Sequence, residues 1–238
     1  MTSPVEFTIV LPCYNEAETL PSLLNAYHKV WRNLPTELVL VNNGSTDDTA
    51  EVLERELAKP ENAFARSVLV PANQGYGYGV IAGLRAARGR VIGISHADMQ
   101  CDPLDLFRAY DCLLASGSVQ TFVKGRRGGR SLGSSIVTWV MAILASSVLM
   151  MRLTDINAQP KVFHSSLLVH LKNPPNGFEL DLYLLCAARK LRWTVRTIPV
   201  IFRARLHGTS KWAFSLASRR KHIWATVKYI FRLRAQEF

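Results

Sequence analysis

Thr8-Ile9-Val10-Leu11-Pro12-Cys13-Tyr14-Asn15-Glu16 and, one helical interval later, Leu38-Val39-Leu40-Val41-Asn42-Asn43-Gly44-Ser45-Thr46-Asp47 decide how the chain reads. Each is an unbroken apolar run that stops abruptly in polar and turn-forming residues. A strand with one wet face would alternate apolar and polar side chains. An unbroken run instead fits a strand covered on both faces, which is the condition of a parallel sheet. Such sheets meet their ligands at the carboxyl ends of the strands, and that is where the polar residues gather here.

The same rhythm continues outward. Strands are expected at Phe7–Leu11, Glu37–Val41, Arg66–Val70 and Arg90–Ser95, and helices at about Ala17–Trp31, Thr46–Leu57 and Tyr78–Arg88. This βαβαβαβ order predicts an α/β fold with a mostly parallel central sheet and helices on both faces. A third polar strand end follows at His96-Ala97-Asp98-Met99-Gln100. Beyond Arg108 the order is less regular. It passes a strand at Val119–Val123, a glycine-basic loop Lys124-Gly125-Arg126-Arg127-Gly128-Gly129-Arg130, an apolar stretch Ile136–Met151, a helix at Leu180–Lys190 and a strand at Thr194–Phe202.

The 238 residues, 48% of them hydrophobic and 20% charged, suffice for one well-buried domain and exclude disordered and fibrous classes. Cys13, Cys101, Cys112 and Cys186 show no paired spacing, so neither a zinc site nor a disulfide framework is expected and a reducing compartment fits. The strand-like run at Phe7 leaves no room for a signal peptide, so a cytoplasmic chain is expected. Net charge is +11, and its placement is uneven. From Arg189 to Phe238 there are 13 Lys/Arg against one acid, Glu237, a charge of +12; the preceding residues hold 16 against 17, or −1. A nearly neutral body with a basic end points to a body that binds something small and an end that meets a polyanion. Trp224, Tyr229 and Phe231 fall at helical spacing rather than on a strand platform, which favours an anionic membrane surface over nucleic acid.

The individual motifs each admit two readings. Asn42 and Asn43 either cap a turn or offer carboxamides to a base or ribose. Asp98 and Gln100, two apart in an extended segment, either cap the helix that starts near Pro103 or point to one side as oxygen ligands for Mg²⁺ or Mn²⁺ beside a diphosphate. Gly77, Gly79 and Ala82 satisfy a GxGxxA pattern, which would suit a nicotinamide-dependent oxidoreductase, although they follow the third strand rather than the first. Ile136–Met151 spans ~24 Å as a helix, too short for ~30 Å of hydrocarbon, and is expected to be a buried or interfacial helix.

In order, the motifs resemble those of the inverting family 2 glycosyltransferases of the GT-A fold, most closely the dolichyl- and polyprenyl-phosphate sugar synthases. Val10–Glu16 resembles P-x-Y-N-E, Asn42–Asp47 resembles D-D-G-S-T-D, and Asn73–Gly79 is similar to the glycine-rich stretch before the third helix. His96–Gln100 resembles D-A-D-x-Q, Gly125-Arg126-Arg127 resembles G-S-R, Asp155–Phe163 resembles D-x-x-S-G-F, and Arg205–Lys211 matches R-x-x-G-x-S-K. The resemblance implies that Pro12, Tyr14, Glu16, Asn42 and Asn43 bind the nucleotide of a GDP- or UDP-linked sugar. It implies that Asp98 and Gln100 hold Mg²⁺ or Mn²⁺ on the diphosphate, that Arg126 neutralises phosphate, and that Arg205, Ser210 and Lys211 hold the phosphate of a polyprenyl acceptor. It departs from the pattern at His96, at Asn42 and Asn43, and at Ala158-Gln159-Pro160. A neutral imidazole at His96 would favour Mn²⁺ if it faces the ion, and is otherwise a structural histidine.

The implied reaction moves a sugar from the nucleoside diphosphate to a polyprenyl phosphate at the membrane surface. A sugar-hydroxyl acceptor, the alternative, would need a general base, for which Asp181 is the candidate; otherwise Asp181 is a first-turn helix acid. One GT-A domain is expected over residues 1–212. The remaining 213–238 should form a basic amphipathic helix with Ile223, Trp224, Val227, Ile230 and Phe231 on one stripe, either adhering to a membrane or packed on the domain's own core.

Overall fold

The computed structural model describes residues 4–32, 34–128, 132–205 and 216–235, with backbone alone for 132–135 and 216–219. Seven strands form one mixed sheet: β1 (Phe7–Cys13), β2 (Thr36–Asn43), β3 (Ala65–Val70), β4 (Val91–Ile94), β5 (Thr121–Gly128), β6 (Lys161–His164) and β7 (Thr194–Ile201). Their spatial order is β3-β2-β1-β4-β6-β5-β7, and every pairing is parallel except those of β6 with β4 and β5. The helices are α1 (Leu20–Val30), α2 (Thr49–Leu57), α3 (Tyr76–Ala86), α4 (Pro103–Leu114), α5 (Leu132–Leu149), α6 (Leu180–Lys190) and α7 (Leu216–Ala235).

The unbroken apolar strands are accounted for by two cores, one on each face of the sheet. Val10, Val39 and Val41 point into a core shared with α3, α5, α6 and α7, while Ile9, Leu11, Leu38 and Leu40 point into one shared with α1, α2 and α4. Consecutive residues of one strand therefore serve opposite cores, as the two-residue period requires.

Several expected boundaries move. β1 and β2 run on through Cys13 and Asn43, which pairs Cys13 with Asn42 and carries the polar motifs onto the strand ends themselves. α1 begins at Leu20 rather than Ala17, whose amide donates to Asp47 Oδ2 instead, and α2 begins at Thr49 rather than Thr46, the Thr49 amide donating to Asp47 Oδ1. The glycine-basic segment expected as a loop is β-structure as far as Gly128, held in a parallel ladder with β7. β6 was not foreseen. Among the described residues no helix is long and apolar enough to cross a membrane. Gly77 and Gly79, the glycines of the oxidoreductase reading, lie inside α3, where added side chains would strike the Pro175 and Gly177 carbonyls and the Asn43 carboxamide. They are spacers that let α3 approach its neighbours.

Candidate active site

The loops after β1 and β2 are stitched together by one side chain. Asn15, whose φ of 56° places it in the left-handed region that asparagine tolerates, accepts from the Thr46 amide at 2.9 Å and donates through Nδ2 to Thr46 Oγ1 at 3.3 Å. Its own amide donates to Ser45 Oγ at 3.1 Å, the Glu16 amide to Thr49 Oγ1 at 2.9 Å and the Ala17 amide to Asp47 Oδ2 at 3.3 Å. Asn15 was not among the candidate residues, although its place between Tyr14 and Glu16 at a strand end was a signal. Pro12 and Tyr14 lie half-buried beside this clasp. Asn42 and Asn43 are buried, and their amides hold backbone: Asn42 Oδ1 accepts from the Ser45 amide at 3.1 Å and Asn43 Nδ2 donates to the Gly75 carbonyl at 3.0 Å. Asn43 Oδ1 is buried against α3 and has no hydrogen-bond partner among the described residues.

After β4 the chain turns rather than extends. Met99 has a φ of 59°, and Asp98 Oδ1 accepts from the Gln100 amide at 3.1 Å, so the expectation of two side chains on one side of an extended segment gives way to a tight turn. Asp98 is buried, and its Oδ2 meets Arg205 at 2.9 Å; a second nitrogen of Arg205 lies 4.0 Å from Glu16. Arg205, expected on the acceptor side, thus stands between Asp98 and Glu16, the two carboxylates expected on the donor side. Gln100 Nε2 donates to the Arg203 carbonyl at 3.0 Å and Arg203 pairs with Asp102 at 2.9 Å, so the segment carrying Arg205 is tied down across this turn. Ser210 and Lys211 lie outside the described residues. Burial pushes the Glu16 carboxyl above the usual range, with a Thr19 hydrogen bond pulling the other way. Burial also pushes the His96 imidazole below its ordinary value, against the pull of Asp98 and Asp181, and its ring lies 5.9 Å from that of Tyr76.

No cluster of three or more His, Cys, Asp or Glu among the described residues could hold a metal ion. Asp98 Oδ2 nevertheless already faces a cation, the Arg205 guanidinium, and Gln100 keeps its amide oxygen. Hard oxygen donors of this number fit a Mg²⁺ or Mn²⁺ that keeps its other positions for phosphate and water. Asp98 and Gln100 would contribute two oxygens to such an ion.

Asp181 sits in the first turn of α6 as one reading had it, but it is also the buried partner of Lys161, at 2.7 Å. Gln159 donates to it and to the Tyr76 hydroxyl, both at 3.1 Å, and its own Oε1 has no partner among the described residues. Tyr76 stacks on Phe178 at 5.2 Å, and Phe178 meets His222 of α7 edge-on at 5.1 Å. A carboxylate neutralised by a buried ammonium is a structural anchor more than a free base.

Arg126 stands apart from these groups, exposed at the end of β5. It lines a groove of about 530 Å³ with Arg127, Trp139, Ala142, Ile143, Leu153 and Asp155; Asp98 is not in the lining. Arg127 makes the structural pair, accepted by Asp155 through both the backbone amide at 2.8 Å and the guanidinium. The groove therefore has Arg126 and the Arg127–Asp155 pair along one edge, and from α5 the apolar Trp139, Ala142 and Ile143 interspersed with Thr138, Ser146 and Ser147.

A parallel sheet with acidic and amide groups at the ends of β1, β2 and β4, and an antiparallel β6 inserted beside them, defines a glycosyltransferase of the GT-A fold. The chain belongs to glycosyl transferase family 2, whose model matches residues 8–149. It is 32% identical over 218 residues to an uncharacterised glycosyltransferase of Mycobacterium tuberculosis, covering 88% of this chain and 90% of that one. An undecaprenyl-phosphate 4-deoxy-4-formamido-L-arabinose transferase of Pseudomonas savastanoi pv. phaseolicola is 34% identical over 108 residues, 44% of this chain. The match spans only 32% of that relative's length. In fold, the chain is similar to glucosyl-3-phosphoglycerate synthase of Mycobacterium tuberculosis, solved with Mn²⁺, uridine diphosphate and glucosyl-3-phosphoglycerate. The TM-score is 0.71 at 22% identity, covering 95% of this chain and 80% of that one.

Proposed function

We propose that this glycosyltransferase moves a sugar from a UDP- or GDP-linked donor to a polyprenyl phosphate at a membrane surface. The observation that carries the acceptor is the groove beside α5, where Arg126 borders an apolar wall of Trp139, Ala142, Ile143 and Leu153. A phosphate oxygen with a hydrocarbon chain needs both features together, and a free sugar needs neither. The relative named as an undecaprenyl-phosphate sugar transferase supports the same acceptor class.

In this reading the clasped loops, with Pro12 and Tyr14, receive the nucleoside, and Asp98 and Gln100 would hold a divalent cation against its diphosphate. Such a cation, when bound, neutralises charge on the departing nucleoside diphosphate. Arg205, released from Asp98 as the diphosphate arrives, adds a charge-assisted hydrogen bond to it. Arg126 orients the acceptor phosphate. Its oxygen forms the new bond to the anomeric carbon as the bond to the diphosphate breaks on the opposite face, with inversion. A phosphate anion has no proton to lose in this step, which agrees with Asp181 being tied to Lys161.

The test is product formation from UDP- and GDP-sugars with undecaprenyl phosphate, undecaprenol and 3-phosphoglycerate in parallel. Turnover confined to undecaprenyl phosphate is expected. Equal use of undecaprenol would restore a base-assisted hydroxyl mechanism, and use of phosphoglycerate alone would refute the lipid acceptor.

A further inference from the structure

α5 and α7 pack against each other at one flank of the fold, and their outward arcs do not look like the surface of a soluble domain. On α5, Ile136 (58% exposed), Trp139 (66%), Val140 and Ile143 face outward, and the helix has no charged residue from end to end. On α7 the stripe expected from the sequence is split. Ile230 is fully buried with Leu233, while Trp224 (60%) and Phe231 (54%) are left outside. Trp224 and Phe231 are seven apart and share a face, with the exposed Arg220 and Lys228 four residues before and after Trp224 and Arg234 three beyond Phe231. α7 carries six Lys/Arg and no acid.

We infer that the α5–α7 face is a docking surface for an anionic lipid bilayer, with Trp139, Trp224 and Phe231 inserting and Arg220, Lys228 and Arg234 meeting lipid phosphates. Contiguous exposed apolar surface marks an interaction site. Aromatic side chains ringed by cations suit the level where acyl chains give way to anionic headgroups. A second copy of the chain is the other ready occupant of an apolar face, but a two-fold contact through this face would set Arg220, Lys228 and Arg234 of one copy against the same cations of the next. The groove beside α5 is lined by Trp139 and Ile143 of this same face, so a lipid held there would enter it directly from the bilayer. The inference rests on the membrane-surface reading proposed above and names the face that serves it, and it is tested apart from the acceptor because binding to vesicles is read without any substrate.

The experiment is co-sedimentation of the full chain with phosphatidylcholine vesicles and with vesicles containing one-third phosphatidylglycerol, at 0.1 M and 0.5 M salt. Strong binding is expected only to the anionic vesicles, falling at least tenfold at the higher salt as charges are screened. Trp224→Ser/Phe231→Ser and Arg220→Glu/Lys228→Glu, both at exposed positions and checked for folding by circular dichroism, should each lower that binding at least tenfold. Anionic vesicles that fail to retain the folded full chain, or that retain both variants equally well, would overturn the inference. So would a concentration-dependent dimer that the same substitutions abolish. Because turnover of a short, water-soluble polyprenyl phosphate needs no vesicle, failure here and failure of the acceptor assignment are separate results.

Discussion

The two halves of the sheet are built to opposite specifications. At the ends of β1, β2 and β4, side chains close on one another: Asn15 joins two loops, Asp98 caps its own turn, and Arg205 bridges Asp98 and Glu16. At β5, α5 and α7, the side chains with chemistry to offer are turned outward, with Arg126 on a groove and Trp139, Trp224 and Phe231 in solvent. The first arrangement suits a small ligand of fixed shape, whose recognition depends on groups already in place. The second suits a partner that is large, apolar and variable in position. One chain thus keeps a closed half and an outward-turned half on separate elements, joined through the buried Lys161–Asp181 pair and the Tyr76–Phe178–His222 contacts.

Substitutions can break this division at different depths. The largest effect is expected at the joint. Lys161→Met leaves Asp181 buried without its counter-charge and should destabilise the fold by ~3–5 kcal/mol, whereas Lys161→Met/Asp181→Leu should recover most of the loss; denaturant titration of the three proteins checks it. On the closed half, Asp98→Ala should lower kcat by roughly 10²–10³-fold with unchanged circular dichroism, and chelation of divalent cations should lower activity of the native chain similarly. Equal activity with and without chelator would show that Arg205 alone supplies the positive charge.

On the outward half, Arg126→Ala should raise the acceptor KM by roughly ten- to a hundredfold, the worth of a charge-assisted hydrogen bond of ~1.5–3 kcal/mol, and leave donor affinity by calorimetry alone. Arg205→Ala should do the reverse, and a result with the two exchanged would return Arg205 to the acceptor. The smallest effect concerns Lys124, buried with its ammonium on the Gly125 and Asp155 carbonyls at 3.1 and 3.0 Å. Burial lowers its pKa from the ordinary 10.5 to about 8. Between those values the unfolded chain binds more protons than the folded one, so this lysine contributes stability that rises with pH across that window. The difference in Tm between the native chain and Lys124→Met should therefore shift in favour of the native chain by a few degrees, roughly, from pH 7.5 to pH 10.

How much of this was legible varied along the chain for physical reasons. β1, β2 and β4 announced themselves because strands buried on both faces must be apolar throughout, and the polar residues that follow them can then only lie at the sheet's end. β6 gave no such signal: it has four residues, two of them Lys161 and His164, and it is recognisable only once the strands on either side are placed. The β5 tail reads as a loop because glycine and arginine dominate it, yet β7 supplies the ladder that holds it. The choice of Asp98 as a site residue followed from its place after β4, but its partner Arg205 comes from a distant strand end that no local pattern connects to it. Asp181 reads from sequence as a general-base candidate or a first-turn helix acid, because an ion pair with Lys161 requires the third dimension. α7 presented one stripe, and the division of that stripe between core and solvent depends on where α5 lies.

The Asn15 clasp has a consequence for affinity that needs no contact with any ligand. Two strand-end loops left independent would each lose conformational freedom on closing around a nucleoside, at ~1–2 kcal/mol for every residue so fixed. With Asn15, Ser45, Thr46 and Asp47 already bonded across the gap, that ordering belongs to folding, and the ligand meets a mould that has set before it arrives.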